Sequence, residues 1–99
     1  MTFRTLQRPP VTAEQIDQLK FECRKGGAII RVKKLDGSQR GCIRIVLVSG
    51  TREAVRAALV AMEGATSFGR PFAHPDWHFA WNGPSEVNAC FPYSLKAAA

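Results

Sequence analysis

Basic residues are the most concentrated chemically active group in this chain. From Lys20 to Arg44 the sequence holds eight lysines and arginines, against only Glu22 and Asp36 on the acidic side. Residues 64–99 carry no net charge, so the first 63 residues account for the whole net charge of +6. Such a concentration attracts polyanions, because bound phosphates release their counterions. The candidate nucleic-acid contacts are Lys20, Arg24, Lys25, Arg31, Lys33, Lys34, Arg40 and Arg44.

The same basic residues have a simpler interpretation. A charged, solvated face keeps a small domain in solution without binding anything. The charge pattern alone therefore leaves both interpretations open, and the choice between them depends on motifs.

Three aromatic residues form a second group with possible binding chemistry. Trp77, Phe79 and Trp81 alternate with His78 and Ala80. Aromatic rings can stack on unpaired bases. They can also form an interface with a protein partner or a second copy. We favour a third interpretation, in which their large apolar area lies in the core of the domain.

Metal binding and catalysis have weaker support. His74 and His78, with one or two of the three cysteines, are the residue types of a structural zinc site. Their spacing matches no standard zinc pattern, and a Cys–His pair such as Cys90 with either histidine is a common coincidence. The chain also lacks a phosphate-binding loop and a dinucleotide fingerprint. We predict a non-enzymatic domain with no metal and no cofactor.

Length and composition favour one small globular domain. The chain has 99 residues, 45% of them hydrophobic and 22% charged. We assign residues 1–96 to this domain and treat 97–99 as a vector remnant. No apolar run approaches the roughly 20 residues of a membrane helix, and residues 1–11 lack the apolar segment of a signal peptide. The three cysteines are widely spaced, so we expect no disulfide and an intracellular location, in the cytoplasm or nucleus.

The basic residues lie within a predicted helix–strand–strand–helix unit, residues 12–63. A capping box at Thr12–Gln15 begins the first helix, and Gly26-Gly27 ends it. Ala28–Leu35 and Cys42–Val48 alternate as strands joined by a short loop, which predicts an antiparallel pair. Each strand has one apolar and one basic face, so we expect helices to cover one side of the sheet only.

Residues 64–96 differ from this core by their many aromatic residues and prolines. We predict a short strand at Trp77–Trp81, a turn at Asn82–Ser85 and a return strand at Val87–Phe91. This segment is expected to cover the sheet or to add a β-hairpin. The predicted fold class is therefore α+β, with a 12–63 core and a 64–96 cover.

Three segments of the core resemble the second half of a type I KH domain. They are Gly27-Ala28-Ile29-Ile30-Arg31-Val32, Arg44-Ile45-Val46-Leu47-Val48-Ser49-Gly50 and Thr51-Arg52-Glu53-Ala54-Val55. The resemblance implies that RNA or single-stranded DNA runs beside the first helix, the first strand and the variable loop. The residues at those positions are Lys20, Arg24, Arg31, Lys33, Lys34 and Arg40.

This chain lacks the loop with which KH domains hold nucleic acid. KH domains hold the nucleic-acid backbone with a GXXG loop before the helix that corresponds to the one at Thr12. Residues 1–11 contain no glycine. The resemblance then implies a degenerate or truncated KH-like domain without its clamp, or one whose missing part is replaced by residues 64–96 or by a second chain. The predicted function is binding of RNA or single-stranded nucleic acid. The alternative is a KH-like module for protein interaction or self-association that has lost this binding.

Overall fold

The first helix, α1, spans Ala13–Lys25 and begins at the predicted capping box. The Thr12 hydroxyl accepts a hydrogen bond from the Gln15 amide at 3.1 Å, and the Gln15 side-chain oxygen accepts one from the Thr12 amide at 2.8 Å. These two bonds satisfy amides that have no partner within the helix.

This computed structural model describes residues 11–35, 41–62 and 64–91. Arg40 and the predicted remnant 97–99 lie outside the described residues.

The predicted strand pair and second helix are present. Strand β1 spans Ile29–Lys34, and β2 spans Cys42–Ser49 antiparallel to it. Helix α2 spans Arg52–Ala61, and the Thr51 hydroxyl caps its first turn. Gly50 allows the close turn between β2 and α2, because its φ is +106° and a Cβ there would lie 2.6 Å from the Ala28 Cα. The predicted α+β class is confirmed.

Residues 64–91 extend the sheet. They form β3 (Thr66–Ser67), β4 (Arg70–Pro71), β5 (Trp81–Asn82) and β6 (Glu86–Cys90). The strand order is β1-β2-β6-β3-β4, with β5 also paired to β6. The predicted hairpin is therefore present as β5–β6. The sheet has β1 at one edge and reaches its other edge through the C-terminal segment.

The predicted strand at Trp77–Trp81 is wrong over most of its length. Trp77–Ala80 forms a 3₁₀ turn, and extended structure begins only at Trp81. The Phe79 amide donates to the Asp76 carbonyl at 3.1 Å, and Trp77 and Ala80 are both buried. Burial at i and i+3 is the spacing of a 3₁₀ turn, whereas the aromatic alternation had indicated a strand.

Both helices pack on one face of the sheet. The apolar residues of the strands that face them include Ile30, Ile43, Ile45 and Val87, all of them buried. They pack in one core cluster with Leu19 and Cys23 of α1 and with Val55, Ala58 and Leu59 of α2. Both described helices therefore cover the same side of the sheet, as predicted. The opposite face carries Arg31 and Lys33 of β1, and on β2 it carries Arg44 beside the apolar Val46 and Val48.

Cys42 and Cys90 form a disulfide, so the expectation of unpaired cysteines is wrong for these two residues. They face each other across the antiparallel β2–β6 pair, with 4.0 Å between their Cα atoms. A sequence separation of 48 residues hides this juxtaposition in the linear sequence. The disulfide also removes both sulfurs from any zinc site or Cys–His pair. Cysteine usage accordingly no longer supports a reducing compartment.

Cys23 is the free cysteine of the described residues and lies in the core, as its helical spacing predicted. Burial raises the pKa of its thiol to about 11, with the nearby Glu22 carboxylate adding to the effect. The thiol is therefore protonated at neutral pH and is a poor nucleophile.

No helix among the described residues is long and apolar enough to span a membrane.

Candidate nucleic-acid interface

The face of the sheet away from the helices carries a cluster of cations that we call the open-face cations: Arg31, Lys33 and Arg44. Their neighbours along the strands, such as Ile30 and Ile45, are buried under the helices, so alternation places these three on the other side. Arg31 and Lys33 are exposed, and Arg44 is half-buried. Two adjacent strands thus present three positive groups on the face of the sheet away from the helices.

Register brings two of these cations directly opposite each other. Lys33 of β1 pairs with Arg44 of β2, and Arg44 in turn pairs with Asn88 of β6. The Arg44 Nε donates a hydrogen bond to the Asn88 Oδ1 at 3.3 Å. This bond holds one side of the guanidinium and leaves the two Nη groups for other acceptors, including the paired oxygens of a phosphate.

The open-face cations form no ion pair among the described residues. The one ion pair of those residues joins the Lys25 Nζ to the Glu22 Oε1 at 3.3 Å, and it lies on α1. Glu86 of β6 shares the open face, opposite Val46 of β2, but lies beyond ion-pair distance of Arg31, Lys33 and Arg44. Because like charges directly opposite in a sheet destabilise it, an anion bound between Lys33 and Arg44 would relieve their repulsion.

The structure separates the predicted basic patch into two groups. Lys20, Arg24 and Lys25 lie on α1, in the layer that covers the other side of the sheet. Lys34 is exposed and, by alternation, shares the helix-covered face of β1. The seven described candidates therefore do not form one continuous patch on a single face, and the open-face cations are the group among them with adjacent members and no ion pair.

Lys25 is already engaged within α1. Besides its ion pair with Glu22, its Nζ lies 5.4 Å from the centre of the Phe21 ring. A lysine with two such contacts is a weaker candidate for a phosphate than the open-face cations.

Each of the three candidate stacking aromatics is covered by an arginine of the same chain. The Arg56 guanidinium carbon lies 5.3 Å from the centre of the Trp77 ring, and that of Arg52 lies 4.8 Å from the Trp81 ring. The Arg70 guanidinium carbon lies 4.0 Å from the centre of the Phe79 ring. Trp77 is only 6% exposed, as expected of a core residue, and the other two rings are half-buried against the core.

Arg52 and Arg56 have a structural role that the sequence analysis missed. Arg52 donates from Nη2 to the Gly83 carbonyl at 2.8 Å and from Nε to the Pro84 carbonyl at 3.1 Å. Arg56 donates from Nε to the Phe72 carbonyl at 2.9 Å and from Nη2 to the Ala73 carbonyl at 3.3 Å. The two arginines are four residues apart in the sequence, about one helical turn. This i, i+4 spacing is the sequence signal that places them on the same face of α2.

We expect Arg56→Ala to lower the free energy of unfolding by about 1–2 kcal/mol, because a charged hydrogen bond and a cation–π contact are lost together. Urea unfolding followed by circular dichroism measures the change. Lys20→Ala, an exposed lysine of α1, is the matched control and should cost under about 0.5 kcal/mol. Equal stability of the two variants would show that Arg56 does not hold the aromatic segment in place.

The described residues contain no cluster suited to a metal ion. No group of three or more His, Cys, Asp or Glu side chains converges among them. The Nδ1 of His74 accepts a hydrogen bond from the Asp76 amide at 2.9 Å, and the His78 ring packs on Trp77 with centroids 3.9 Å apart. The two histidines thus take part in local packing of the aromatic segment.

A shallow groove of about 300 Å³ lies beside α2 and is lined by Glu53, Arg56, Ala57, Val60 and Ala73. Arg56 is engaged with the Phe72 and Ala73 carbonyls, and Glu53 is the other charged residue in the lining.

No family model, curated protein or solved structure matches this chain. The geometry of the open face is consequently the basis for assigning a function.

Proposed function

We propose that this domain binds single-stranded RNA or DNA on the open face of its sheet and catalyses no reaction. Arg31, Lys33 and Arg44 contact the phosphates. The observation that carries the proposal is the Lys33–Arg44 pair, two cations opposite each other on the face away from the helices, neither of which forms an ion pair with a described carboxylate. The resemblance of residues 27–32, 44–50 and 51–55 to a KH domain supports the same ligand class.

The shape of the face favours a single strand over a duplex. Reading of duplex DNA usually inserts a helix or a two-stranded ribbon into the major groove. The open-face cations instead lie on the broad surface of β1 and β2, where a flexible single strand can follow them. Phosphate contacts supply affinity but carry no sequence information, so we expect weak discrimination between sequences. The predicted intracellular location, in the cytoplasm or nucleus, belongs to this proposal because cells keep such ligands there, although a disulfide such as Cys42–Cys90 is rare in those compartments.

Binding should fall steeply with salt. Three phosphate contacts on a single strand predict a slope of about −2 for the logarithm of the binding constant against the logarithm of the salt concentration. Raising salt from about 50 to about 200 mM then weakens binding by about twentyfold. Fluorescence anisotropy with a short, mixed-sequence labelled RNA measures this slope, with a duplex of the same sequence as the comparison. Undetectable binding at the lower salt concentration would refute the proposal.

The position of β1 supports a second candidate, a module for protein interaction. Within residues 11–35, 41–62 and 64–91, β1 lies at the edge of the sheet and pairs with β2 only. An extended peptide can add to such an edge through backbone hydrogen bonds. Arg31, Lys33 and Lys34 favour an acidic peptide there over a second copy of β1, since self-pairing brings cations together. Stronger binding to an acidic peptide than to RNA of equal charge would favour this candidate.

A further inference from the structure

The tip of the β3–β4 hairpin is an exposed aromatic residue in an unfavourable backbone conformation. Ser67 pairs with Arg70, and the two turn residues between them are Phe68, with φ +49°, and Gly69, with φ +99°. A two-residue turn with positive φ at both positions is usually formed by asparagine and glycine. For phenylalanine the left-handed backbone conformation is sterically unfavourable, because its Cβ lies close to the following carbonyl oxygen.

Packing does not explain Phe68 either. Its side chain is 53% exposed, and its ring has no ring or cation contact among the described residues. This distinguishes it from Trp77, Phe79 and Trp81, each of which is covered by an arginine. A residue that violates a local rule and buries little apolar surface is a candidate for contact with a ligand.

Register places the base of this hairpin on the strand next to the open-face row. Thr66 pairs with Cys90 in the antiparallel β3–β6 ladder, and Cys90 follows Asn88 on the open face of β6. Asn88 is in register with Arg44, and Arg44 with Lys33. Because β5 occupies the same edge of β6 at Val87, the turn at Phe68 leaves this ladder. With strands roughly 4.8 Å apart, the distance across the sheet from β1 to β3 is roughly 14 Å. That length accommodates a few extended nucleotides running across the strands.

We propose that Phe68 is the base-stacking residue of this domain. A single strand crosses the sheet from β1 towards the β3–β4 hairpin, with phosphates on Lys33 and Arg44 and an unpaired base on the Phe68 ring. Asn88 lies between them; its Oδ1 holds Arg44, and its Nδ2 has no hydrogen-bond partner among the described residues. The inference rests on the proposed function. It adds an apolar contact, the Phe68 ring, to the phosphate contacts of Lys33 and Arg44.

The test is Phe68→Asn, which should move stability and binding in opposite directions. Asparagine tolerates the left-handed conformation, so the melting temperature should rise. Loss of stacking should weaken binding of a short mixed-sequence RNA by about tenfold. The salt slope should not change, because no phosphate contact is removed. Phe68→Trp keeps a stacking surface and should retain the affinity of the unaltered chain.

Phe21→Ala is the matched control for removing an exposed phenylalanine. Phe21 is 58% exposed but lies on α1, in the layer on the other side of the sheet, so affinity should stay the same. If Phe68→Asn binds as tightly as the unaltered chain, the stacking role is overturned while phosphate binding stands. If the unaltered chain binds no RNA at low salt, the proposed function and this inference are overturned together.

Discussion

Replacing Arg31 and Lys33 together by glutamate is expected to weaken binding of single-stranded RNA by on the order of a hundredfold. The change removes two of the three open-face cations and places two carboxylates where phosphates would lie. Both side chains are exposed and have no ion pair among the described residues, so the fold should survive. Anisotropy titration measures the affinity, and a thermal melt confirms that the variant is folded.

The matched control reverses the charges of Lys20 and Arg24 on α1. Each double variant lowers the net charge from +6 to +2, because each reversal removes two units. If the open face is the binding surface, the α1 variant should keep its affinity within a few fold. Equal losses in the two variants would show that only overall charge matters. A loss confined to the α1 variant would place the nucleic acid beside the first helix and refute an open-face site.

Loss of the Cys42–Cys90 disulfide is expected to lower the free energy of unfolding by up to about 4 kcal/mol. The bridge closes a loop of 48 residues in the unfolded chain, and the entropy of that closure sets the estimate. For a domain of this size, such a loss lowers the melting temperature by roughly 15 °C or more. Thermal melts of the oxidised protein and of the Cys42→Ser, Cys90→Ser double variant measure the difference.

A reducing agent provides the control for this prediction. It should lower the melting temperature of the unaltered chain and leave that of the double variant unchanged. In the unfolded oxidised protein, thiol titration should find one reactive thiol, Cys23, whose burial blocks reaction in the folded state. Three reactive thiols in protein never exposed to reductant would contradict the disulfide.

Local signals were sufficient to predict the helix–strand–strand–helix core. The capping box at Thr12, the alternation of Ala28–Leu35 and the hydroxyl of Thr51 all depend on neighbours within a few residues. Alternation also indicates correctly which side chains of a strand share a face, so Arg31 and Lys33 were expected opposite the apolar residues. The KH resemblance itself remains a prediction, since it rests on these local segments.

Alternation within a strand does not reveal which other strand lies beside it. The order in which the strands pair decided the rest of the fold. The pairing of β2 with β6 joins segments more than 40 residues apart and brings Cys42 onto Cys90 and Arg44 onto Asn88. Neither contact leaves a local signature in the sequence, because each depends on register between distant strands.

The amino-acid sequence by itself determined the α+β class, the ends of the helices and the concentration of positive charge between Lys20 and Arg44. Tertiary structure alone decided which of those cations meet. It placed Lys20 and Arg24 on the helix layer and set Lys33 against Arg44 on the open face. It also placed arginines over Trp77 and Trp81, which leaves Phe68 as an exposed ring without such a cover. The physical reason is that charge and aromatic content are properties of residues, whereas adjacency and exposure arise only when distant strands pack together.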